Sequence, residues 1–359
     1  MRIERLTAHN VRNLLDVALE PSPGLNLFQG ANASGKTALL EAIYLLARGR
    51  SFRTPRVMDV VRHSAERLQV SARVSHRDAR PVMAGIERGS GHLVLRYNGD
   101  PVRTVSAHAR RFPLVVITPD SQQLVLGGPA VRRDWLDWAM FHVEQGYLDH
   151  WRDYHRALRQ RNHLLKDAAT AIGEIRGWEE GMGRSGTALD DARKAFLRRL
   201  EQAFQRLAGG FWDEPPVLRL RSGWESGVPL EQALADARRT DLVSGFTHCG
   251  PHRADIDFTH KNNELASTFS RGESKLFICT LMLAEAAVLA ERLEEPPVLL
   301  MDDFSAELDT QAQQRLLGML GSGNAQAFLT TAGTAAAGSL PGGSARFHVE
   351  HGKFREMVE

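Results

Sequence analysis

Gly30-Ala31-Asn32-Ala33-Ser34-Gly35-Lys36-Thr37 reads G-x-x-x-x-G-K-[ST], the phosphate-binding loop pattern. It stands between an apolar run, Leu25-Asn26-Leu27-Phe28, and a Leu- and Ala-rich segment, Lys36 to Ala47. The first reads as a strand and the second as a helix, which is the context the pattern requires. Glycines let the backbone wrap closely around a polyphosphate, so that successive amides and the helix N-terminus point at its oxygens. Lys36 supplies a mobile positive charge for the β- and γ-phosphates, and the Thr37 hydroxyl is placed to bind Mg²⁺. Gly30, Ala31, Asn32, Ala33, Ser34, Gly35, Lys36 and Thr37 are therefore the expected nucleotide-binding residues. Such a loop serves kinases, GTPases, pumps and DNA motors alike, so it does not by itself identify the task.

A second site lies far along the chain. Val298-Leu299-Leu300-Met301 suits a buried parallel strand, and Asp302 and Asp303 follow at once. An apolar strand that delivers acids at its C-terminal edge is a Walker B pattern, because ligands of open α/β sheets bind there. Asp302 is expected to hold Mg²⁺ with Thr37, and Asp303 to polarise the attacking water, with Lys36 as the other catalytic group. A solvated acidic turn is the plainer alternative, and the phosphate loop weighs against it.

The rest of the chain bounds the architecture. Its 359 residues are 43% hydrophobic and 25% charged, ordinary for a soluble globular protein and long enough for two to three domains. A formal net charge of +2 means that any attraction to nucleic acid must come from local patches. Cys249 and Cys279 suggest neither a disulfide framework nor a zinc site, so a reducing compartment is the default. The N-terminus has no signal-peptide core, and Leu276 to Ala290, the longest apolar stretch, is broken by Glu285. A soluble cytoplasmic protein without a membrane partner is expected.

From Val57 to Val116, short β-like runs (Leu68 to Val74, His92 to Tyr97, Phe112 to Thr118) are broken by Gly, Pro, Asn and Asp, and Asn98-Gly99 is a hairpin signal. Tyr147, Trp151, Tyr154 and Leu158 then mark one helix face within Arg132 to Lys166, and Leu189 through Leu207 marks a second. Gly173, Gly177, Gly181, Gly183 and Gly186 lie between them and read as a flexible tip or a mobile linker. Ser274 to Leu293 reads as a long helix stopped by Pro296-Pro297, Gln326 to Thr331 as a strand, Ala332 to Ser344 as a loop, and Arg346 to Met357 as a hairpin around Gly352.

Two further motifs narrow the class. Ser270-Arg271-Gly272-Glu273-Ser274, at the head of the long helix, resembles the signature motif of ABC-type ATPases. A small hydroxyl residue, a glycine and a helix N-terminus form a donor-rich concavity for phosphate. A capping box, Ser270 with Glu273, is compatible with that role. Ser305-Ala306-Glu307-Leu308-Asp309 resembles the D-loop of the same class. With Asn10-Val11-Arg12-Asn13, Gly49 to Thr54, Gly127-Gly128-Pro129, Arg132-Arg133, Leu136-Asp137-Trp138 and Gly250 to Asp255, these motifs run from end to end. The whole set resembles the RecF family, bacterial recombination and repair ATPases related to the structural-maintenance-of-chromosomes type.

That resemblance implies an α/β fold: an ABC-type P-loop ATPase head with a mixed sheet (lobe I, residues 1–120 and 246–359) and an inserted, mainly helical arm (lobe II, residues 121–245). It implies ATP and Mg²⁺ as cofactors, with Arg12 and Asn13 and the signature residues Ser270, Arg271, Gly272 and Glu273 also at the nucleotide, the signature acting on the opposite subunit's γ-phosphate. It implies an ATP-dependent homodimer on gapped or single-strand/duplex DNA, weak DNA-dependent hydrolysis, the mediators RecO and RecR, and loading of RecA. Roles in the SOS response and replication restart come with it. A clear glutamine loop is missing, although Gln122 and Gln123 are candidates, and Thr330-Thr331 stands where a switch histidine is usual. An ATP-binding transporter subunit is the main alternative, which the 233 positions from Thr37 to Ser270 argue against.

For DNA, Arg48, Arg50, Arg53, Arg56 and Arg62 form the densest basic stretch, and Arg193, Lys194, Arg198 and Arg199 a second one. The first could instead support the nucleotide pocket. Arg132 and Arg133 are expected to pair with Asp134 and Asp137, Trp135, Trp138 and Trp151 to be core residues, and His252, Arg253 and Asp255 to form a structural hydrogen-bond network rather than a metal site.

Overall fold

The computed structural model describes residues 1–77, 79–166, 172–332 and 340–357. The chain divides into two units: Met1–Ser121 with Ser270–Glu359, and Gln122–Phe269. The first unit begins with β1 (Arg2–Val11), β2 (Leu14–Leu19), β3 (Leu25–Gln29), α1 (Lys36–Arg48), β4 (Arg67–Ser75), β5 (Val82–Gly89), β6 (His92–Tyr97), β7 (Asp100–Pro101), α2 (Val105–Ala109) and β8 (Leu114–Ile117). The second holds α3 (Gln123–Leu126), α4 (Pro129–Val143), α5 (Tyr147–Leu164), α6 (Ile172–Ala208), β9 (Val217–Arg221), α7 (Leu230–Ser244), β10 (Asp255–His260), β11 (Asn263–Glu264) and α8 (Leu265–Thr268). The chain then returns to the first unit with α9 (Arg271–Leu293), β12 (Val298–Met301), α10 (Thr310–Ser322), β13 (Ala327–Thr331), β14 (Ala345–Glu350) and β15 (Lys353–Glu356).

Two six-stranded sheets build the first unit. One is antiparallel, in the order β2-β1-β4-β5-β6-β7. The other runs β15-β14-β3-β13-β12-β8 and is parallel except for the β14–β15 edge pair. The residue patterns explain the difference. Every residue of β3, β12 and β13 is buried, as expected of parallel strands covered on both faces. In β4, Leu68, Val70, Ala72 and Val74 point inward and alternate with Arg67, Gln69, Ser71 and Arg73, so one face meets water. Buried along nearly its whole length, α1 shares one core with both sheets, in which Leu39, Ile43 and Leu46 join Leu6, Val70 and Ile86 on one side and Phe28, Leu300 and Phe328 on the other. Because β3, β12, β13 and β8 are parallel, the residues that follow them emerge at one end of the sheet.

Glu295, just before β12, ties this sheet to the antiparallel one. Its carboxylate shares a hydrogen bond with His76 Nδ1 (2.8 Å) and accepts one from the Arg77 N–H (3.1 Å). Burial alone would raise its pKa, but these partners and the nearby amino terminus outweigh it and hold the group at about 2, against an ordinary 4.5. A depressed carboxyl pKa contributes stability that is complete above the unfolded value and lost as pH falls through the folded one. Glu295→Gln is therefore expected to cost about 1–2 kcal/mol near neutrality, discounted for partial exposure. It should also flatten the acid-induced loss of stability between pH 4.5 and about 2 in urea titrations.

In the second unit, Arg132 to Lys166 forms two helices, α4 and α5, divided at Gly146, whose φ is +85°. The glycine-rich stretch is neither a tip nor a linker, because Gly173 through Gly186 lie inside the 37-residue α6. A Cβ on Gly186 would meet Leu230 Cδ2 at 2.4 Å and the Tyr154 ring at 3.0 Å, so a small residue lets α6 approach its neighbours there. This unit also contains a three-stranded antiparallel sheet, β11-β10-β9. The sequence alone places the end of the insert at 245. In the structure residues 246–269 cluster with the insert, because β10 pairs with β9. Part of the loop read at Ala332 to Ser344 lies outside the described residues.

Ion pairs in this unit differ from the sequence expectation. Arg132 forms a two-pronged pair with Asp255 (2.7 and 3.0 Å), not with Asp134 or Asp137, and Arg133 donates to the Ala254 carbonyl. Asp137 accepts instead from Arg193, Tyr147 and Trp151. Neighbours in sequence lose to these partners because the helix carries Arg132 and Asp137 to different surroundings. His252 bonds Tyr154 Oη through Nδ1 (2.7 Å), and Arg253 donates to the Thr247 carbonyl, which makes this segment a hydrogen-bond network.

Candidate nucleotide site

The loop after β3 has the form that a polyphosphate needs. Ala33 and Gly35 take positive φ (61° and 117°), which turns consecutive amides inward, and α1 starts with no side-chain cap on its first-turn amides. Lys36 Nζ rests on the Gly30 and Ala31 carbonyls at 2.7 and 2.8 Å. Burial lowers its pKa, opposed by the charges of Asp302 and Asp303. The Ser34 hydroxyl is buried without a hydrogen-bond partner among the described residues. A buried, unsatisfied donor beside a lysine held only by carbonyls fits an anion, which would satisfy both. The loop is braced from outside, since Gly352 N–H in the β14–β15 turn donates to the Ser34 carbonyl (2.7 Å) and Asn13 Nδ2 to the Ala33 carbonyl (3.0 Å).

The end of β12 meets this loop. Thr37 Oγ1 donates to Asp302 Oδ1 (2.9 Å), and Thr330 Oγ1 donates to the same oxygen (2.7 Å) while accepting the Asp303 N–H (2.9 Å). A hydroxyl and a carboxylate in contact form the oxygen donor pair that Mg²⁺ uses beside a triphosphate, water and phosphate oxygens completing its shell. Among the described residues no group of three or more His, Cys, Asp or Glu could hold a metal by itself. Asp303 takes a left-handed backbone conformation (φ 52°). Asn13, Asn32, Ser34, Lys36, Thr37, Asp302, Asp303 and Thr330 line one cavity of about 940 Å³.

One wall of that cavity depends on a residue that the sequence reading passed over. Glu41 is fully buried on α1 and accepts two bonds from Arg12 (2.8 Å each) and one from Ser51, with Arg53 at 3.9 Å. Arg12 lines the cavity, but its guanidinium is committed to Glu41 and the Asp59 carbonyl, so it acts here as a brace. Arg53, Met58, Asp59 and His63 also line it. An acid inside the otherwise apolar run Ala38 to Ala47 was the available signal for Glu41. The hydroxyls of Thr330 and Thr331 were hidden behind the missing histidine.

The signature segment is organised differently. Ser270 is exposed and closes a capping box with Glu273, donating its O–H to that carboxylate (2.7 Å) and accepting the Glu273 N–H (3.3 Å). A Cβ on Gly272 would lie 2.8 Å from the Glu307 carbonyl, so the signature turn packs against the segment that follows Asp303. Lys275 Nζ fastens the two together by donating to the Asp303 and Ala306 carbonyls (2.7 and 2.6 Å). Among the described residues, Ser270, Arg271, Gly272 and Glu273 do not line their own chain's cavity.

Comparison with known proteins agrees with this layout. The family model for the RecF/RecN/SMC N terminal domain matches residues 2–338. The DNA replication and repair protein RecF of Nitrosococcus oceani is 36% identical over 363 residues, covering 100% of both chains. That of Stenotrophomonas maltophilia is 39% identical over 360 residues, covering 98% of each. The chain belongs to the RecF family. A solved structure of the recombination mediator protein RecF with ATP, in the RecFOR pathway, superposes with a TM-score of 0.87 at 25% identity, covering 99% of this chain and 98% of that one. An Smc head domain from Pyrococcus furiosus gives 0.58 at 16% identity, which shows the shared ATPase-head fold. Full-length likeness to RecF proteins sets the transporter alternative aside, and among the described residues no helix is long and apolar enough to cross a membrane.

In this RecF-family chain the two basic stretches come apart. Arg48 stacks over the Tyr44 ring (5.2 Å to the centroid) and donates to its hydroxyl, and burial pushes its pKa down to about 10. Arg53 turns to the nucleotide cavity, and Arg62 donates to the Asn13 carbonyl. In the second stretch Arg193 is buried against Asp137, Tyr147 and the Pro251 carbonyl, while Lys194, Arg198 and Arg199 remain exposed.

Proposed function

We propose that the chain is an ATP-dependent DNA-binding clamp of recombinational repair, whose dimer forms when ATP bound by one protomer is completed by the signature turn of another. The observation that carries this reading is the exposed Ser270–Glu273 turn, which presents helix N-terminal donors and takes no part in lining its own chain's cavity. Such a turn finds a phosphate only on a second copy.

In this reading Lys36, the amides of residues 30–37 and the Ser34 hydroxyl hold the triphosphate. Thr37 and Asp302 would hold Mg²⁺, which would supply neutralising charge beside the phosphates. Thr330 orients Asp302 through its hydroxyl. Asp303, with Lys36 as the other catalytic group, orients a water toward the terminal phosphate; its side chain is shorter than the glutamate usual in such ATPases, in keeping with slow, DNA-dependent turnover that serves to open the dimer. DNA, RecO and RecR are the proposed partners, with RecA loading at gaps as the outcome, and the cytoplasm the proposed location.

Light scattering with and without ATP·Mg²⁺ tests the reading. A monomer that becomes a dimer on ATP, and retains gapped or single-strand/duplex DNA only then, is the expected result. An unchanged monomer in both conditions would contradict it.

A further inference from the structure

Neither basic stretch that stands out in the sequence survives folding as one exposed surface, but another cationic row does. On α5, Arg152, Arg156, Arg159 and His163 follow spacings of 4, 3 and 4, and Lys166 continues the row just past the helix end. All five are exposed. The opposite face of α5 is fixed in the unit's core by Tyr154, Ala157, Leu158 and Arg161, all buried. The direction in which the row points is therefore set by packing and not by side-chain choice.

The row gathers its basic groups at helical spacing with few acidic partners. Several other arginines of the same unit are matched: Arg132 with Asp255, Arg161 with Glu179 and Asp241, Arg193 with Asp137, Arg221 with Asp255 and Asp257, and Arg238 with Glu179. Within the row only Arg152 has an acid among the described residues, Asp149, at a loose 3.6 Å. Arg156, Arg159, His163 and Lys166 make no ion pair among the described residues. Like charges three and four apart on a helix repel one another, a cost that among the described residues only the loose Arg152–Asp149 pair offsets.

We infer that this face of α5 is a nucleic-acid contact surface that tracks the phosphate backbone of DNA. The row spans about 20 Å at 1.5 Å per residue, roughly six base pairs along a duplex. Its exposed neighbours, Asp153 and Gln160, are polar, so the face offers no apolar anchor of the sort a membrane or a protein partner would need. Guanidinium and ammonium groups in a line suit phosphates and read no sequence. The inference rests on the proposed DNA-binding function and says where in the second unit that contact is made.

The test is a salt series of DNA binding, by fluorescence anisotropy with ATP·Mg²⁺, on a blunt duplex of random sequence. The full chain is compared with the double variant Arg156→Ala/Arg159→Ala and with the control Arg198→Ala/Arg199→Ala on α6. The α5 variant should bind at least about tenfold more weakly at physiological salt, with a log–log salt slope shallower by about 2, near 0.9 per lost contact. Its ATP-driven dimerisation should match the parent, since the substituted groups are exposed and belong to neither the nucleotide cavity nor the signature. The α6 control should retain the parent slope. An α5 variant with the parent's affinity and slope overturns the inference, as does a loss confined to the α6 control. If the parent itself binds no DNA at any salt, the proposed function fails and takes this inference with it, an outcome that the parent titration alone identifies.

Discussion

Ser270→Arg is expected to abolish the ATP-driven dimer while leaving ATP affinity of the protomer within about twofold of the parent. Ser270 heads α9 on the exposed signature turn, where its hydroxyl donates to Glu273 within the chain and would turn to phosphate in the proposed dimer. A hydrogen bond from such a donor to a charged phosphate contributes about 1.5–3 kcal/mol. In a two-fold symmetric dimer each substitution counts twice, which gives about 3–6 kcal/mol. That corresponds to a weakening of about 10²–10⁴-fold, before the bulk of arginine in the phosphate slot is considered. Nothing comparable happens inside the protomer, because the residue is exposed and its loss as a helix cap costs only about 0.5–2 kcal/mol. Light scattering reads the dimer and nucleotide titration reads the affinity. A variant that still dimerises at the parent's ATP concentration would show that the signature does not dock on a neighbour's nucleotide.

The parts of this site that follow one another in sequence were legible before the structure, and the parts that meet only across the fold were not. The strand, loop and helix around Gly30 to Thr37 were readable because they are contiguous, and the strand before Asp302 and Asp303 because a fully buried parallel strand is a continuous apolar word. The order of motifs then named the head. Helix periodicity found α5 and α6, but it treated glycine as a break. Gly186 sits in a helix because a neighbour comes within a methyl group's reach, and that pressure leaves no trace in local sequence. Charge misled for a related reason. Arg48 and Arg193 look like surface cations until Tyr44 and Asp137 are seen to enclose them. The row on α5 was overlooked because Asp149 and Asp153 dilute it in the linear text, although among the described residues only Asp149 pairs with it, and loosely.

Lys275→Met should separate the two halves of the mechanism that the signature helix joins. The expected result is a fall of about tenfold or more in ATP turnover, with ATP affinity changed less than about twofold. Asp303 is held in the left-handed backbone region, a conformation that costs a non-glycine residue on the order of 1–3 kcal/mol. Besides the Ala306 N–H on its carbonyl (3.3 Å), two side chains hold it there: Thr330, which accepts its N–H, and Lys275, whose ammonium donates to its carbonyl and to that of Ala306. Bonds from a charged donor contribute about 1.5–3 kcal/mol, as much as the strain they oppose. Methionine keeps the length and apolar stem of the side chain but offers no donor, so residues 303–306 can relax. A misplacement of about 1 Å at a catalytic group is enough to cost as much as 10²-fold in rate. Lys275 lies outside the nucleotide cavity, so binding of ATP has no direct reason to change. Lys275→Arg, which restores a charged donor, should recover part of the lost turnover, and that recovery distinguishes positioning from a general loss of stability. Turnover equal to the parent's in Lys275→Met, or a loss that Arg does not relieve at all, would mean that Asp303 keeps its orientation without the lysine. Lys275 lies one turn inside the helix that Ser270 begins, so the turn proposed to meet a partner's nucleotide and the ammonium that steadies Asp303 belong to one helix.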